Sequence, residues 1–233
     1  MLSYFGSKWR AAPAYPPPAH KRIVEPFAGG AGYSLRYWDR EVVLIEKYEP
    51  VAAVWQYLSK VGPAEIMRLP LLETGQKIRD VPGLTQEQRW LIGYWCNVGS
   101  AAPKQTMLKW AGPSGERPSH SCWAADIRFR IAKQVSCIRH WRVIHGDFYD
   151  APDGEATWFV DPPYEDLGKF YPCGSAGIDY AQLAAWCRTR RGQVIACEAQ
   201  GAKWLPFAPL GAFKTNERGE RGKRKALESI WLN

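Results

Sequence analysis

Thr157-Trp158-Phe159-Val160-Asp161-Pro162-Pro163-Tyr164 is the stretch on which the reading of this chain turns. Its first half is a short apolar run bounded by turn signals, the pattern of a buried strand. Asp161 then stands at the C-terminal end of that strand, the edge of an open α/β sheet where ligands bind. Pro162 and Pro163 stiffen the backbone beyond it, because each fixes its own φ and restricts the residue before it. The expected product is a rigid carboxylate, a Pro162 carbonyl with no helical or ladder partner, and the Tyr164 ring. Together these suit a flat base carrying an exocyclic amine. A proline-stiffened turn without chemistry fits the stretch equally well, so the flanking sequence decides.

Upstream, Arg142-Val143-Ile144-His145 has strand character and ends in Gly146-Asp147-Phe148-Tyr149. An acid followed by an aromatic at a strand end can hydrogen-bond and stack against an adenine; a loop with a buried Phe reads the same way. Further back, Arg22-Ile23-Val24-Glu25-Pro26-Phe27 is a first strand running into Ala28-Gly29-Gly30-Ala31-Gly32, with a helix expected over 33–39. Strand, glycine turn and helix in that order let a ligand approach bare backbone. The spacing is not G-x-G-x-x-G, so a dinucleotide is not specifically indicated. Val42-Val43-Leu44-Ile45 is a second strand ending in Glu46, where α/β nucleotide folds place a ribose-binding carboxylate. A helix over 49–60 comes next, with Pro50 in its first turn.

Downstream, residues 165–177 are rich in Gly and aromatics and read as a lid or substrate loop. A helix over 180–191 has Asp179 as its N-cap. Strands are expected over 193–197, 212–214 and 226–232. Between the last two, residues 215–225 read as a flexible basic loop, with Arg218, Arg221, Lys223, Arg224 and Lys225 able to grip a phosphate backbone. Solubilising surface charge is the alternative.

Between 61 and 140 the pattern changes. A helix is expected over 84–97, capped by Thr85 with Glu87 and Gln88 in its first turn. A loop over 99–121 carries Lys104, Lys109, Trp110 and Arg117, and an amphipathic basic helix is expected over 123–140. Basic residues interleaved with Trp suit phosphates and bases; a solvated surface insertion is the plainer account.

Composition bounds these readings. The 233 residues are 46% hydrophobic, enough to bury a sizeable core and too apolar for a disordered chain. A formal charge of +8 favours a polyanionic partner, and 12 Trp supply both core and stacking surface. The six Cys show no C-x-x-C spacing, which weakens zinc and thioredoxin-like readings. The chain opens without a signal-peptide pattern, so free thiols in a reducing cytoplasm are expected. No apolar run approaches the roughly 18 residues of a membrane helix.

Taken in order, Tyr4-Phe5-Gly6-Ser7-Lys8-Trp9, Val24-Glu25-Pro26-Phe27-Ala28-Gly29-Gly30-Ala31-Gly32, the acid closing the second strand, Gly146-Asp147-Phe148, the Asp-Pro-Pro-Tyr strand and the basic stretch before Ala226-Leu227-Glu228-Ser229-Ile230-Trp231-Leu232-Asn233 resemble the Dam-like DNA adenine-N6 methyltransferases. The likeness spans nearly the whole chain but is concentrated in these short stretches; the combination is specific and no single motif is. It implies an α/β, Rossmann-like sheet, mostly parallel with one antiparallel strand. Residues 1–60 and 141–233 would form the catalytic domain, and 61–140 an inserted, mainly helical target-recognition region. It implies S-adenosyl-L-methionine as cofactor, with Tyr4 and Lys8 by its methionine end and Phe27, Gly29 and Ala31 shaping the pocket. Glu46 would hold the ribose, Asp147 the adenine amine, and Phe148 would stack on that ring. Asp161 borders both cofactor and target. With the Pro162 carbonyl it would accept from the target amine, while Tyr164 stacks on the base. The family more often has glycine where Ala31 stands and aspartate where Glu46 stands.

The implied partner is double-stranded DNA with a flipped adenine, bound by a cytoplasmic monomer or weak dimer with no metal and no membrane. Both a restriction-modification role and other settings are open. N4-cytosine enzymes more often carry serine in place of the motif's acid, so Asp161 points to adenine. Ribosomal-RNA guanine-N2 methyltransferases share Asp-Pro-Pro but lack the Tyr4–Trp9 motif. A catalytically inactive DNA-binding module and a nucleotide-dependent oxidoreductase are the readings from other classes.

Overall fold

The computed structural model describes residues 1–97, 99–107, 122–165, 168, 171–219 and 222–233, with the backbone alone for 214–219 and 222–225. Seven strands form one sheet: β1 (Arg22–Glu25), β2 (Glu41–Glu46), β3 (Arg142–His145), β4 (Glu155–Val160), β5 (Arg191–Ala199), β6 (Ala208–Gly219) and β7 (Gly222–Leu232). Their spatial order is β3-β2-β1-β4-β5-β7-β6. The first five strands are parallel. β7 runs against both of its neighbours, between β5 and β6. The expected mostly parallel sheet with one antiparallel strand is therefore present. Strand order reverses between β1 and β4, which opens a crevice at their C-terminal ends.

Burial explains why these segments are strands. β2 and β4 are each exposed only at their first residue, as expected for parallel strands covered on both faces. Successive side chains go to opposite sides. Ile23, Leu44, Phe159 and Ile195 enter one core, and Val24, Val43, Trp158 and Val194 the other. Over the second core lies α5 (Tyr180–Thr189), contributing Leu183 and Trp186. Asp179 caps it, accepting from the Ala181 and Gln182 amides at 2.9 and 3.0 Å.

The first face is covered by α1 (Glu49–Leu58) and by the 61–140 segment. That segment carries α2 (Pro63–Arg68), α3 (Gln86–Trp95) and α4 (Ala125–Val135). α1 packs on α3, and α2 on α4. Ile66, Leu91, Trp123 and Ile131 join the same buried cluster as Leu44 and Phe159, so this segment shares the core of the sheet. Thr85 and Gln88 form a reciprocal capping box at the start of α3, with Gln88 N to Thr85 Oγ1 at 3.4 Å and Thr85 N to Gln88 Oε1 at 3.0 Å. A cap of this kind stabilises a helix by about 1 kcal/mol. All six cysteines are free thiols. Among the described residues no helix is long and apolar enough to cross a membrane.

Two expectations need correction. The helix expected over 33–39 is only a 3-10 turn, Ser34–Tyr37. Tyr33 is drawn into the core, its ring stacked on Phe159 at 4.3 Å and its hydroxyl donated to the Pro16 carbonyl at 2.8 Å. Tyr, Ser and Trp have modest helix propensity and do not extend the turn. The basic loop expected over 215–225 is mostly ladder: β6 runs to Gly219, β7 starts at Gly222, and these two residues pair. Charge density masked a hairpin whose strands continue the antiparallel pairing of the core.

Candidate functional site

At the switch point a single cleft is lined by Tyr4, Lys8, Phe27, Gly29, Ala31, Glu46, Asp147, Phe148 and Asp161. Every residue that the sequence assigns to cofactor binding thus lies on one surface. The cleft is built from the ends of β1, β2, β3 and β4, closed by the N-terminal segment and by Tyr171 to Gly174.

The glycine turn is held from below by Trp55 of α1, whose buried indole donates to the Gly29 carbonyl at 2.8 Å. Gly29 and Ala31 have φ of +44° and +47°. Ala31 is the only described non-glycine residue in that region, a conformation that costs an L-residue roughly 1–2 kcal/mol. The N-terminal segment lies directly against the turn. A Cβ on Gly32 would stand 2.4 Å from the Trp9 nitrogen and 2.8 Å from the Lys8 carbonyl carbon. This close approach brings Lys8 into the site.

Glu46 is buried, and its two oxygens accept from the Gly29 and Tyr48 amides, both at 2.9 Å. Burial raises its pKa, and those amides oppose the rise. A carboxylate has about four acceptor positions, so capacity remains for hydroxyl donors. Asp147 is paired with Lys47 at 2.8 Å through Oδ2. Its other oxygen is buried with no hydrogen-bond partner. That orphaned acceptor fits a ligand amine. Phe148 is buried beside Phe27, with ring centres 5.6 Å apart.

Asp161, with its side chain 19% exposed, takes the Lys8 ammonium at 3.1 Å on Oδ1. Burial pushes its pKa up to about 6, Lys8 opposes that, and Glu228 adds to it. Lys8 also lies 3.5 Å from Glu228 Oε2 and 4.5 Å from the centre of the Tyr164 ring. Burial works against the lysine's charge, but Asp161 and Glu228 outweigh it and hold its pKa well above the usual range. Tyr164 does not line the cleft; its hydroxyl donates to Glu228 in a short contact. Pro162 is buried and also lies off the cleft surface, whereas Pro163 is on it. The Pro163 carbonyl accepts from the Tyr180 hydroxyl, tying the turn to α5.

Three charged groups escaped sequence reading. Glu25 lines the cleft and accepts from the Ser34 amide at 2.7 Å, and burial pushes its pKa up to about 8. It closes a strand as Glu46 and Asp161 do, and that shared position was the signal. Lys47 comes directly after the strand-end acid. Glu228 is an acid inside the apolar strand Leu227–Leu232, and a buried charge in such a run is the informative exception.

Of the expected nucleic-acid contacts, Lys104 is exposed and does not line the cleft. Lys109, Trp110, Arg117 and Arg221 lie outside the described residues, as do 166, 167, 169 and 170 of the expected lid. Arg218, Lys223, Arg224 and Lys225 are placed on the β6–β7 hairpin by backbone alone. Among the described residues no cluster of His, Cys, Asp or Glu is arranged to hold a metal ion. No family model matches the chain, and a search of curated proteins found no match.

Proposed function

We propose that this chain is an S-adenosylmethionine-dependent DNA methyltransferase acting on the N6 amine of adenine. The observation that carries the reading is the shared cleft, where the glycine turn, Glu46, Asp147 and the Asp161 carboxylate meet at the switch point. Its charge agrees. Glu46, Asp147 and Asp161 are set against Lys8 and Lys47, with the protonated Glu25 carboxyl beside them, a cleft with more acid than base in a chain of net charge +8. That balance favours a ligand bearing sulfonium and ammonium over one bearing phosphates. The 3-10 turn after the glycines also offers little of the helix dipole that phosphates use. Both features argue against a nicotinamide dinucleotide.

The cofactor would supply an electrophilic methyl group on its sulfonium sulfur. Glu46 would hold its ribose hydroxyls, Asp147 its adenine amine and Phe148 its ring, with Tyr4, Phe27, Gly29 and Ala31 shaping the walls. The target amine's lone pair is delocalised into its ring, which makes it a poor nucleophile. Asp161, which lines the cleft, would accept a hydrogen bond from it and favour the pyramidal nitrogen that attacks; one preorganised partner of this kind is worth roughly 3–4 kcal/mol. The Pro162 carbonyl, expected from the sequence as a second acceptor, lies off that surface. The base must leave the duplex at a cost of a few kcal/mol, and stacking on Tyr164 would offset roughly 1–3 kcal/mol of it.

The test is direct. Unmodified DNA and, in a parallel reaction, unmodified RNA are incubated with the purified chain and isotope-labelled cofactor, digested to nucleosides and resolved by mass spectrometry. Labelled N6-methyl-2′-deoxyadenosine from the DNA is expected. Labelled N4-methyl-2′-deoxycytidine would move the assignment to the other base, and label in the RNA alone would move it to the other polymer. No labelled nucleoside from either would sink the reading.

A further inference from the structure

Glu228 sits on β7, opposite Ala199 of β5 and Gly211 of β6, and is buried. It does not line the cleft. Yet its Oε2 receives the Tyr164 hydroxyl, the Tyr15 hydroxyl at 3.4 Å and the Lys8 ammonium at 3.5 Å. Lys8 in turn touches Asp161 Oδ1 at 3.1 Å and covers the Tyr164 ring. Lys8 and Tyr164, which flank the Asp161 carboxylate, are thus both anchored on one buried acid two strands away from β4 in the sheet. The geometry points to Glu228 as a positioning residue for the amine-binding carboxylate. It draws part of the Lys8 charge away from Asp161 and fixes the plane of the Tyr164 ring through its hydroxyl.

The physical need is plain. A lysine left alone with Asp161 would pair fully with it and blunt it as an acceptor. Between two carboxylates the ammonium is shared, and Asp161 keeps acceptor strength for the amine. Glu228 also raises the proton affinity of Asp161, against the effect of Lys8. The other titratable groups that bear on Asp161 are Tyr164, Tyr15, Tyr171, Cys197, Glu25 and Glu198. Of these, Tyr164 and Tyr15 are themselves hydrogen-bonded to Glu228.

This role rests on the methyl-transfer reading, and its experiment separates the two. Wild-type chain, Glu228→Gln and Tyr164→Phe are compared for kcat, KM for DNA, cofactor affinity by calorimetry, and kcat against pH. Glu228→Gln keeps shape and an acceptor oxygen but loses the charge. Its kcat should fall roughly tenfold, one charge-assisted contact within a network, with cofactor affinity unchanged. The acid limb of its kcat profile should move to lower pH. Tyr164→Phe, which keeps the ring and removes the hydroxyl, should lower kcat in the same direction and remains informative if Glu228→Gln does not fold. A Glu228→Gln variant that loses thermal stability while kcat and the acid limb stay put would reduce Glu228 to a structural ion pair. For a Glu228→Gln variant that does not fold, an unchanged kcat in Tyr164→Phe would do the same. Absence of methyl transfer by the wild-type chain would overturn both proposals.

Discussion

Lys8, in the N-terminal segment, places its ammonium 3.1 Å from Oδ1 of Asp161, at the end of the central strand β4. The pairing makes that segment part of the candidate reactive centre. It exists because the backbone at Lys8 and Trp9 lies flat against Gly32.

Asp161→Ala should bind cofactor and lose nearly all of its methyl transfer. Loss of one preorganised acceptor lowers the rate by roughly 10²–10³, and removing the carboxylate also leaves Lys8 without its nearest partner. Calorimetry with the cofactor and a methyl-incorporation assay check the two halves; undiminished turnover would remove Asp161 from the mechanism.

The rate should fall on the acid side. The acceptor is the ionised carboxylate, and burial raises the Asp161 pKa from 3.8 to about 6. Methyl transfer should therefore decline as pH drops through that value. A profile flat down to about pH 4, the ordinary range of an aspartate, would show that the group is not needed ionised.

Glu25 predicts a stability effect of definite sign. Its pKa rises from 4.5 in the open chain to about 8 when buried. Between those values the folded state keeps a proton that the unfolded state releases, so stability is lost as pH rises, by at most about 1.4 kcal/mol per pH unit. Glu25→Gln should flatten that slope in denaturant titrations run at several pH values between about 5 and 8. An unchanged slope would mean that Glu25 ionises freely in the fold.

At the glycine turn, Ala31→Gly should stabilise the protein by roughly 0.5–1 kcal/mol, because relief of left-handed strain exceeds the added flexibility of the unfolded chain. Gly32→Ala should do the reverse. Its Cβ would meet backbone at 2.4 Å, so it should destabilise by roughly 1–3 kcal/mol and reduce kcat by shifting Lys8. Denaturant midpoints and turnover of both variants read these out together.

Replacing Lys223, Arg224 and Lys225 by Ala should weaken DNA binding and shrink the slope of log K against log[salt] by about 0.9 for each phosphate that is no longer neutralised. Fluorescence anisotropy at several salt concentrations measures it. An unchanged slope would place the DNA away from the β6–β7 hairpin.

Much of this architecture was legible because central parallel strands advertise themselves. β2 and β4 are buried continuously after their first residue, and each runs into an acid, Glu46 or Asp161, that lines the cleft. Asp179 and Thr85 were legible as caps for local reasons. The features that stayed hidden depend on partners far away in the chain. The short turn at Ser34–Tyr37 results from Tyr33 packing on Phe159. The hairpin was masked because strand pairing outweighs the loop-like charge of 215–225. Glu228 acquires meaning only when β7 enters between β5 and β6 and turns one face toward Lys8.

That placement of β7 has a consequence for biogenesis. β6 reaches the sheet only through β7, so while the polypeptide is still emerging from the ribosome β6 has no neighbour to zip onto. Lys8, Tyr15 and Tyr164, already translated, then lack the carboxylate that gathers them. Domains generally fold as units as they are made, but here the candidate centre is assembled by a segment synthesised after all its other parts. A stalled or clipped nascent chain would carry the Asp-Pro-Pro-Tyr turn and the glycine turn without a competent site. The fold thus withholds the Glu228 contacts to Lys8, Tyr15 and Tyr164 until β7 has been synthesised and inserted.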